Sequence, residues 1–503
     1  MQVGIGKGIV MPDESLAGFV TQTADGLGVT GAAVGVWADG REVFASHGVT
    51  SVENPLPVTQ HTLFLIGSVT KTFTATAVMR LVADGNVARD APVRRYVPEL
   101  VLADERAAGQ ITVLNLLNHT SGLDWGVIDD FGEGDDALAR YVSALAGLPL
   151  IAPPGARASY SQAGFNLAGR IVEKVTGLTY EKAVASLVFD PAGLSGSFFD
   201  RDDIMTRRFA VGHNRGEDRT VSIGRLWRRS RGDNPGGGIA SSVADMLRWA
   251  RFHLGSGVPD VLPAGVLRQM RDPTTTLRGS SLGDAIGIGW FLRDVGGVRA
   301  AGHGGSANGQ FADLLLVPER GFAVVTLCNE GPDGIPFNQA VIRWALQNYL
   351  GITDRDPEPL PFDEARAREV AGRYENEVMT FTVGIDGGRR GGRPANDPAN
   401  GTADGGPDQA GDPGGGGQGT AAGPGAVRGG PAPPRRVHRH RRRVRGPAWL
   451  LHPRRERRGH RRGPRRAARQ PRLAGAGGPS PRTGGRAHAR AGSQQHQGTR
   501  FRV

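Results

Sequence analysis

Three short segments of this 503-residue chain carry side chains suited to acyl transfer. Ser68-Val69-Thr70-Lys71 places a hydroxyl and an amine three residues apart, at the start of a strongly helical stretch, Val69–Asp84, closed by Gly85. That spacing sets both groups on one helical face. The free N–H groups and positive dipole of a helix N-terminus favour an anion formed beside Ser68. A free lysine of pKa about 10.4 is neutral in about one molecule in 2,500 at pH 7. Lys71 therefore serves as a base only if burial brings its pKa down to about 7. A two-residue pattern of this kind also arises by chance, so its weight comes from the other two segments.

Pro154-Gly155 leads into Tyr160-Ser161-Gln162 and an apolar helical run, Phe165–Val175, so the phenol of Tyr160 stands just ahead of a helix. Gly302-His303-Gly304-Gly305-Ser306 follows a short strand, Val298–Ala301. Glycines flanking a histidine let a substrate approach the backbone closely. Taken singly, the tyrosine reads rather as a packed surface aromatic and the histidine as an exposed residue of a flexible turn. Gly279-Ser280-Ser281-Leu282-Gly283 has the G-x-S-x-G pattern, but a nucleophile elbow needs a strand before it and a helix after it. Here Pro273–Thr276 precedes and the β-like run Ile286–Leu292 follows, so the segment reads as a loop. Cys328, the single cysteine, excludes a disulfide framework and reads as a buried core thiol. Asp129–Asp130 and Glu133–Asp136 read as solvated acidic loops; no metal and no cofactor is expected.

In this order, Ser68-x-x-Lys71, Tyr160-Ser161-x and His303-Gly304-Gly305 resemble the serine β-lactamase and penicillin-binding-protein-like hydrolases. The nearest branch is that of class C β-lactamases, D-aminopeptidases and related carboxylesterases. Phe64-Leu65-Ile66-Gly67, Leu116–Leu123 and the Gly236–Gly238 run before Ser241-Ser242 extend the likeness, which covers about residues 15–355. The resemblance implies that Ser68 attacks an acyl carbonyl to form an acyl-enzyme and that Lys71 and Tyr160 share the proton transfers. It implies an oxyanion hole from the backbone N–H groups of Ser68 and Ser306, with Gln162, His303, Gly304 and Gly305 along the substrate. Two positions depart from the pattern. Gln162 stands where Asn is common, one methylene longer. His303 stands where β-lactamases commonly carry Lys, a fixed cation suited to the drug's carboxylate, whereas a histidine is mostly neutral at pH 7. The expected substrate is a small ester, amide or peptide, for a carboxylesterase or D-amino peptidase/amidase, with weak β-lactamase activity beside it. The alternatives are a non-catalytic penicillin-binding or sensor module on the same fold and a nucleic-acid-associated protein.

Strands lie at both ends of the chain's first 355 residues, with helices in between. A helix and a hairpin fill 15–50, with Ala32–Ala38 and Glu42–His47 joined by Asp39-Gly40, a type I′ signal. Ile286–Leu292, Val298–Ala301, Phe311–Val317 and Phe322–Leu327 read as strands, and Phe337–Tyr349 as a helix ending at Gly351. The middle, about 86–275, is helix- and loop-dominated, and Ser242-Val243-Ala244-Asp245 fits a capping box. The fold class expected is α/β (α+β): an antiparallel sheet formed by both chain ends, flanked by helices, with a mostly helical insertion. Residues 1–14 read as an extension and 362–388 as the truncated start of a small C-terminal β domain, on the likeness of Ala371-Gly372-Arg373-Tyr374 to some relatives.

The formal charge of +12 averages two unlike parts. Residues 389–503 hold 26 Arg, no Lys and 5 acidic residues, whereas residues 1–388 hold 35 basic and 44 acidic residues and are mildly acidic. Rich in Arg, Gly and Pro and poor in apolar residues, 389–503 cannot offset the roughly 1–2 kcal/mol per residue of backbone ordering entropy. Disorder is expected there. The composition fits translation of a GC-rich gene in a shifted frame better than it fits a nucleic-acid arm. No stretch approaches the roughly 20 apolar residues of a membrane span. The first residues hold Lys7 without an apolar run behind it, Met11 is an alternative start, and a cytoplasmic location is the default expectation.

Overall fold

A computed structural model describes residues 15–385 apart from 128, 217, 228–229, 256–260, 357, 359–360 and 376–379. The expectations for 1–14 and 389–503 lie outside these residues.

Eight strands form one sheet: β1 (Gly31–Ala38), β2 (Arg41–Gly48), β3 (Thr275–Thr276), β4 (Ala285–Ile286), β5 (Phe291–Val295), β6 (Val298–Ala307), β7 (Gln310–Val317) and β8 (Phe322–Cys328). Their order is β2-β1-β8-β7-β6-β5-β4-β3, antiparallel throughout, so both ends of the region build the sheet as expected. The β1–β2 turn puts Asp39 and Gly40 at φ 49 and 76, as a type I′ turn requires. Both faces of the central strands are buried, which is why Phe322–Cys328 is continuously apolar instead of alternating.

One face of β8, with Val324 and Cys328, packs against helices α1 (Leu16–Leu27) and α5 (Gly334–Leu350). The other, with Val325 and Leu327, faces α2 (Thr70–Ala83) and α4 (Val243–Leu254), and beyond them α3 (Gln162–Thr176). Cys328 is buried, as the sequence indicated. The α2 helix is buried from Thr70 to Met79, an unusual place for four threonines. Each hydroxyl has a partner: Thr72 donates to the Val69 carbonyl, Thr76 to that of Thr72, Thr74 to that of Pro235, and Thr70 accepts from the Ile239 N–H. Phe73 stacks on Trp249 of α4 with centroids 4.0 Å apart, packing α2 against α4.

Three local expectations need correction. Ile286–Leu292 is not one strand; it is β4 and β5 folded about Gly287–Trp290, where Gly289 takes φ 74. Gly302–Ser306 is not a turn after a short strand but the second half of the ten-residue β6. Ser242 caps α4 by accepting the Asp245 N–H, yet the Asp245 carboxylate bonds the Gly196 N–H and the Ser197 hydroxyl, so the reciprocal half of the capping box is absent. The Gly279–Gly283 segment is a loop, as expected. After a helix at Glu364–Val370, a two-stranded hairpin of Gly372–Glu375 and Thr380–Val383 follows.

Candidate active site

Ser68 lies in a single 3-10 turn, Gly67–Val69, immediately ahead of α2 rather than in the helix itself. This turn is pressed against β6 with no side chain between them. A Cβ on Gly67, which sits at φ 49, would lie 2.6 Å from both the N and the O of Ser306. A Cβ on Gly305 would lie 2.0 Å from the Ile66 carbonyl oxygen and 2.9 Å from the Ser68 nitrogen. Glycine is required at both places because backbone meets backbone. In the β6–β7 hairpin, Ala307 pairs with Gln310 across the two-residue turn Asn308-Gly309, and Ser306 pairs with Phe311. Hydrogen-bonded and non-hydrogen-bonded pairs alternate, so the N–H of Ser306 points away from β7 and toward the Ser68 turn.

Lys71 is fully buried one turn further on, and its Nζ has three neighbours. It lies 3.2 Å from Ser68 Oγ, 2.7 Å from Gln162 Oε1 and 2.7 Å from the Gly236 carbonyl. Burial lowers its pKa to about 7, opposed by the negative charge of Asp233. The two carbonyl oxygens can only accept. In the neutral amine its two N–H bonds therefore serve Gln162 and Gly236, and the lone pair is left for the Ser68 hydroxyl. The Gln162 amide thus contacts the amine directly. A Cβ on Gly236 would stand 1.8 Å from Gln162 Nε2, so a side chain there would displace the Gln162 amide from the amine.

Tyr160 is placed by the cap of α3. Ser161 accepts the Gly164 N–H, donates to the Asp124 carbonyl, and gives its own N–H to Nδ1 of His119. The Tyr160 ring packs on His119, Trp125 and Phe291, and Lys71 Nζ lies 4.9 Å from its centroid. Burial pushes the phenol pKa well up, opposed by a hydrogen bond with Ser68. His303, buried on β6, donates from Nδ1 to the Gly304 carbonyl at 2.7 Å, which leaves Nε2 as an acceptor without a partner. Burial first, then the Lys71 charge, lowers its pKa to about 3. His119 is likewise held well below the usual histidine value by burial, with smaller effects of Lys71 and His303. Both rings are neutral at every pH near 7.

Ser68, Lys71, Tyr160, Gln162, His303, Gly305 and Ser306 thus converge on one crevice, while Gly304 is exposed on β6. A cleft of about 540 Å³ opens beside Tyr160, walled by His119, Phe291 and residues of the 275–282 segment. Sequence reasoning missed the Gly236 carbonyl, Asp233 and His119. A main-chain acceptor leaves no mark in side-chain types, but the polar run Asn118-His119-Thr120-Ser121 inside an apolar helical region was a signal for His119, which takes φ 59.

A family model described as Beta-lactamase matches residues 16–347. The chain is 35% identical over 363 residues to "Penicillin-binding protein 4" of Amycolatopsis lactamdurans, spanning 69% of this chain and 94% of that protein. Its fold is similar to that in the crystal structure of SurE with D-Leu, with TM-score 0.60 and 26% identity over 74% of this chain and 84% of that one. It is similar too to the fold of the class C beta lactamase from Rhodobacter sphaeroides, with TM-score 0.55 and 24% identity over 66% of this chain and 99% of that one. The matched region contains every residue of the crevice, and the chain belongs to the Beta-lactamase family, whose members are serine hydrolases.

Proposed function

We propose that this protein hydrolyses an ester or amide through an acyl-enzyme on Ser68. The observation that carries the reading is the contact of Lys71 Nζ with Ser68 Oγ, in a pocket that lowers the amine's pKa to about 7. In the first half-reaction Ser68 Oγ bonds to the acyl carbon and its proton passes to Lys71. The carbonyl oxygen takes negative charge between the N–H groups of Ser68 and Ser306, a contribution of about 2.7–4 kcal/mol per donor in such sites. The bond to the leaving group then breaks, and Tyr160, whose raised pKa keeps it protonated, relays the proton to the departing oxygen or nitrogen. Water reverses these roles to free the acid and restore Ser68. This chemistry calls for no metal or cofactor.

A carboxylesterase or D-amino peptidase/amidase is favoured over a β-lactamase because His303 is neutral, so no fixed cation stands on β6 for a drug carboxylate. The similarity to SurE, whose structure holds D-Leu, supports trying D-amino acid derivatives. The test is a fluorophosphonate label followed by a panel of p-nitrophenyl esters, D-amino amides and nitrocefin. Labelling at Ser68, turnover of an ester or D-amino amide above that of nitrocefin, and loss of turnover in Ser68→Ala are expected. A stable adduct without turnover of any substrate would establish a binding or sensor module instead.

A further inference from the structure

Lys71 takes its main-chain acceptor from a segment with little reason of its own to keep one shape. Residues 231–238 read Arg-Gly-Asp-Asn-Pro-Gly-Gly-Gly, and a chain half glycine loses more entropy than any other on being ordered. It folds as one 3-10 turn, Arg231–Asp233, followed by one helical turn, Asn234–Gly237. From it come the Gly236 carbonyl, 2.7 Å from the amine, and Asp233, whose charge opposes the lowering of the Lys71 pKa.

The shape is imposed by the short helix Tyr180–Val184. Glu181 accepts from Arg231 through both oxygens, at 3.0 Å from Nε and 2.9 Å from Nη2, and takes a third bond from Asn234 Nδ2 at 2.7 Å. Asn234 is buried and lies tight against the end of the turn, since a Cβ on Gly238 would stand 2.2 Å from its Oδ1. The neighbouring Tyr180 donates to Thr74 Oγ1 at 2.7 Å, and Thr74 donates to the Pro235 carbonyl at 2.6 Å. Residues 231 and 234 are thus held directly, residue 235 through Thr74, and the next carbonyl is the one Lys71 meets. Burial disfavours the Glu181 carboxylate, but the bonds from Arg231 and Asn234 outweigh it and hold its pKa below the usual value. Its charge is met by Arg231, which also pairs with Asp135, whereas burial and Asp233 set the charge balance of Lys71. The proposed reaction does not itself use this carboxylate.

We infer that Glu181 is a positioning residue for the base: by gripping Arg231 and Asn234 it keeps the Gly236 carbonyl within hydrogen-bond distance of Lys71, and so aims the amine at Ser68. The inference rests on the reading of Lys71 as the base of a serine hydrolase. Reach matters here as much as charge, because one methylene fewer withdraws the carboxylate by about 1.5 Å, the length of a carbon–carbon bond. Once the turn is released, the ammonium form of Lys71 loses an acceptor and becomes harder to sustain.

The experiment follows hydrolysis of p-nitrophenyl acetate against pH with the full chain, for wild type, Glu181→Asp and Asn234→Ala. Rates are expressed per site titrated with a fluorophosphonate, so the amount of folded variant drops out. Glu181→Asp keeps the charge and shortens the reach, while Asn234→Ala leaves the Glu181–Arg231 pair and cuts its link to the turn. Each is expected to lower kcat about tenfold on the alkaline plateau, with KM within about threefold of wild type. Each should also move the rising limb of the profile to lower pH by about half a unit or more. Should Glu181→Asp not fold, Asn234→Ala carries the test alone. A slower enzyme whose limb stays in place marks Glu181 as structural support only and overturns the inference, as do a limb moved upward and wild-type kcat in both variants. In each of those cases a wild type that labels at Ser68 leaves the hydrolase reading standing. A wild type that neither labels nor cleaves overturns that reading and the inference with it.

Discussion

Lys71 and Gly236 are joined by a 2.7 Å hydrogen bond from a buried amine to a main-chain carbonyl, in a position where any side chain on residue 236 would collide with Gln162. The amine is therefore aimed by two acceptors that cannot themselves be protonated near neutrality, and in the proposed mechanism its charge state governs whether the Ser68 proton can be taken.

Activity should follow that charge state. Lys71 must be neutral to act, so kcat/KM for an uncharged ester is expected to rise about tenfold per pH unit below pH 7 and to level off above it. Asp233→Asn removes the charge that raises the Lys71 pKa, and Gln162→Leu removes an acceptor that favours the ammonium form, so each should move the rising limb to lower pH. A pH–rate profile in which either variant moves the limb upward would contradict the assignment of Lys71 as the base.

The same residue should make stability depend on pH in an unusual direction. Its folded pKa of about 7 lies below its unfolded value of 10.5, so the unfolded chain binds more protons between the two. Stability is thus expected to rise as pH increases through this window. Between pH 7 and 9 wild type should gain about 2 kcal/mol relative to Lys71→Met, in which this titration is absent. Urea unfolding of both proteins at the two pH values checks it; parallel pH dependence in the pair would rule out a depressed Lys71.

Two adjacent glycines should behave oppositely. A methyl on Gly305 meets the Ile66 carbonyl at 2.0 Å, whereas one on Gly304 meets nothing nearer than the Ala312 carbonyl at 3.9 Å. Gly305→Ala is expected to push β6 off the Ser68 turn, lowering kcat by about a hundredfold or more as the oxyanion donors separate. Gly304→Ala should keep the melting temperature within a few degrees of wild type. Melting curves and initial rates on one ester distinguish them, and a Gly305→Ala protein with wild-type kcat would refute the close contact.

The residues of the candidate site were legible in the sequence because hydroxyl, amine and phenol announce themselves by type, and helix spacing fixes how Ser68 and Lys71 relate. The β1–β2 hairpin was legible for the same local reason, since Asp39-Gly40 suits few other conformations. What escaped was long-range. Gly302–Ser306 read as a turn because glycine weakens strands, and only the Ser68 turn lying against β6 explains why a strand is glycine-rich there. The β4–β5 fold-back was hidden in an apolar run whose two glycines carry little weight on their own. Likewise the carbonyl of Gly236 belongs to a residue 165 positions from Lys71, and no local pattern joins them.

The joint between Gly67 and Gly305 is main chain against main chain, so the proposed oxyanion hole is built from backbone groups. The walls of the cleft beside Tyr160, by contrast, are exposed or half-buried side chains at 156–158 and 275–282. A lineage could exchange those loops wholesale, switching from one acyl donor to another, without ever disturbing the part that makes the carbon reactive.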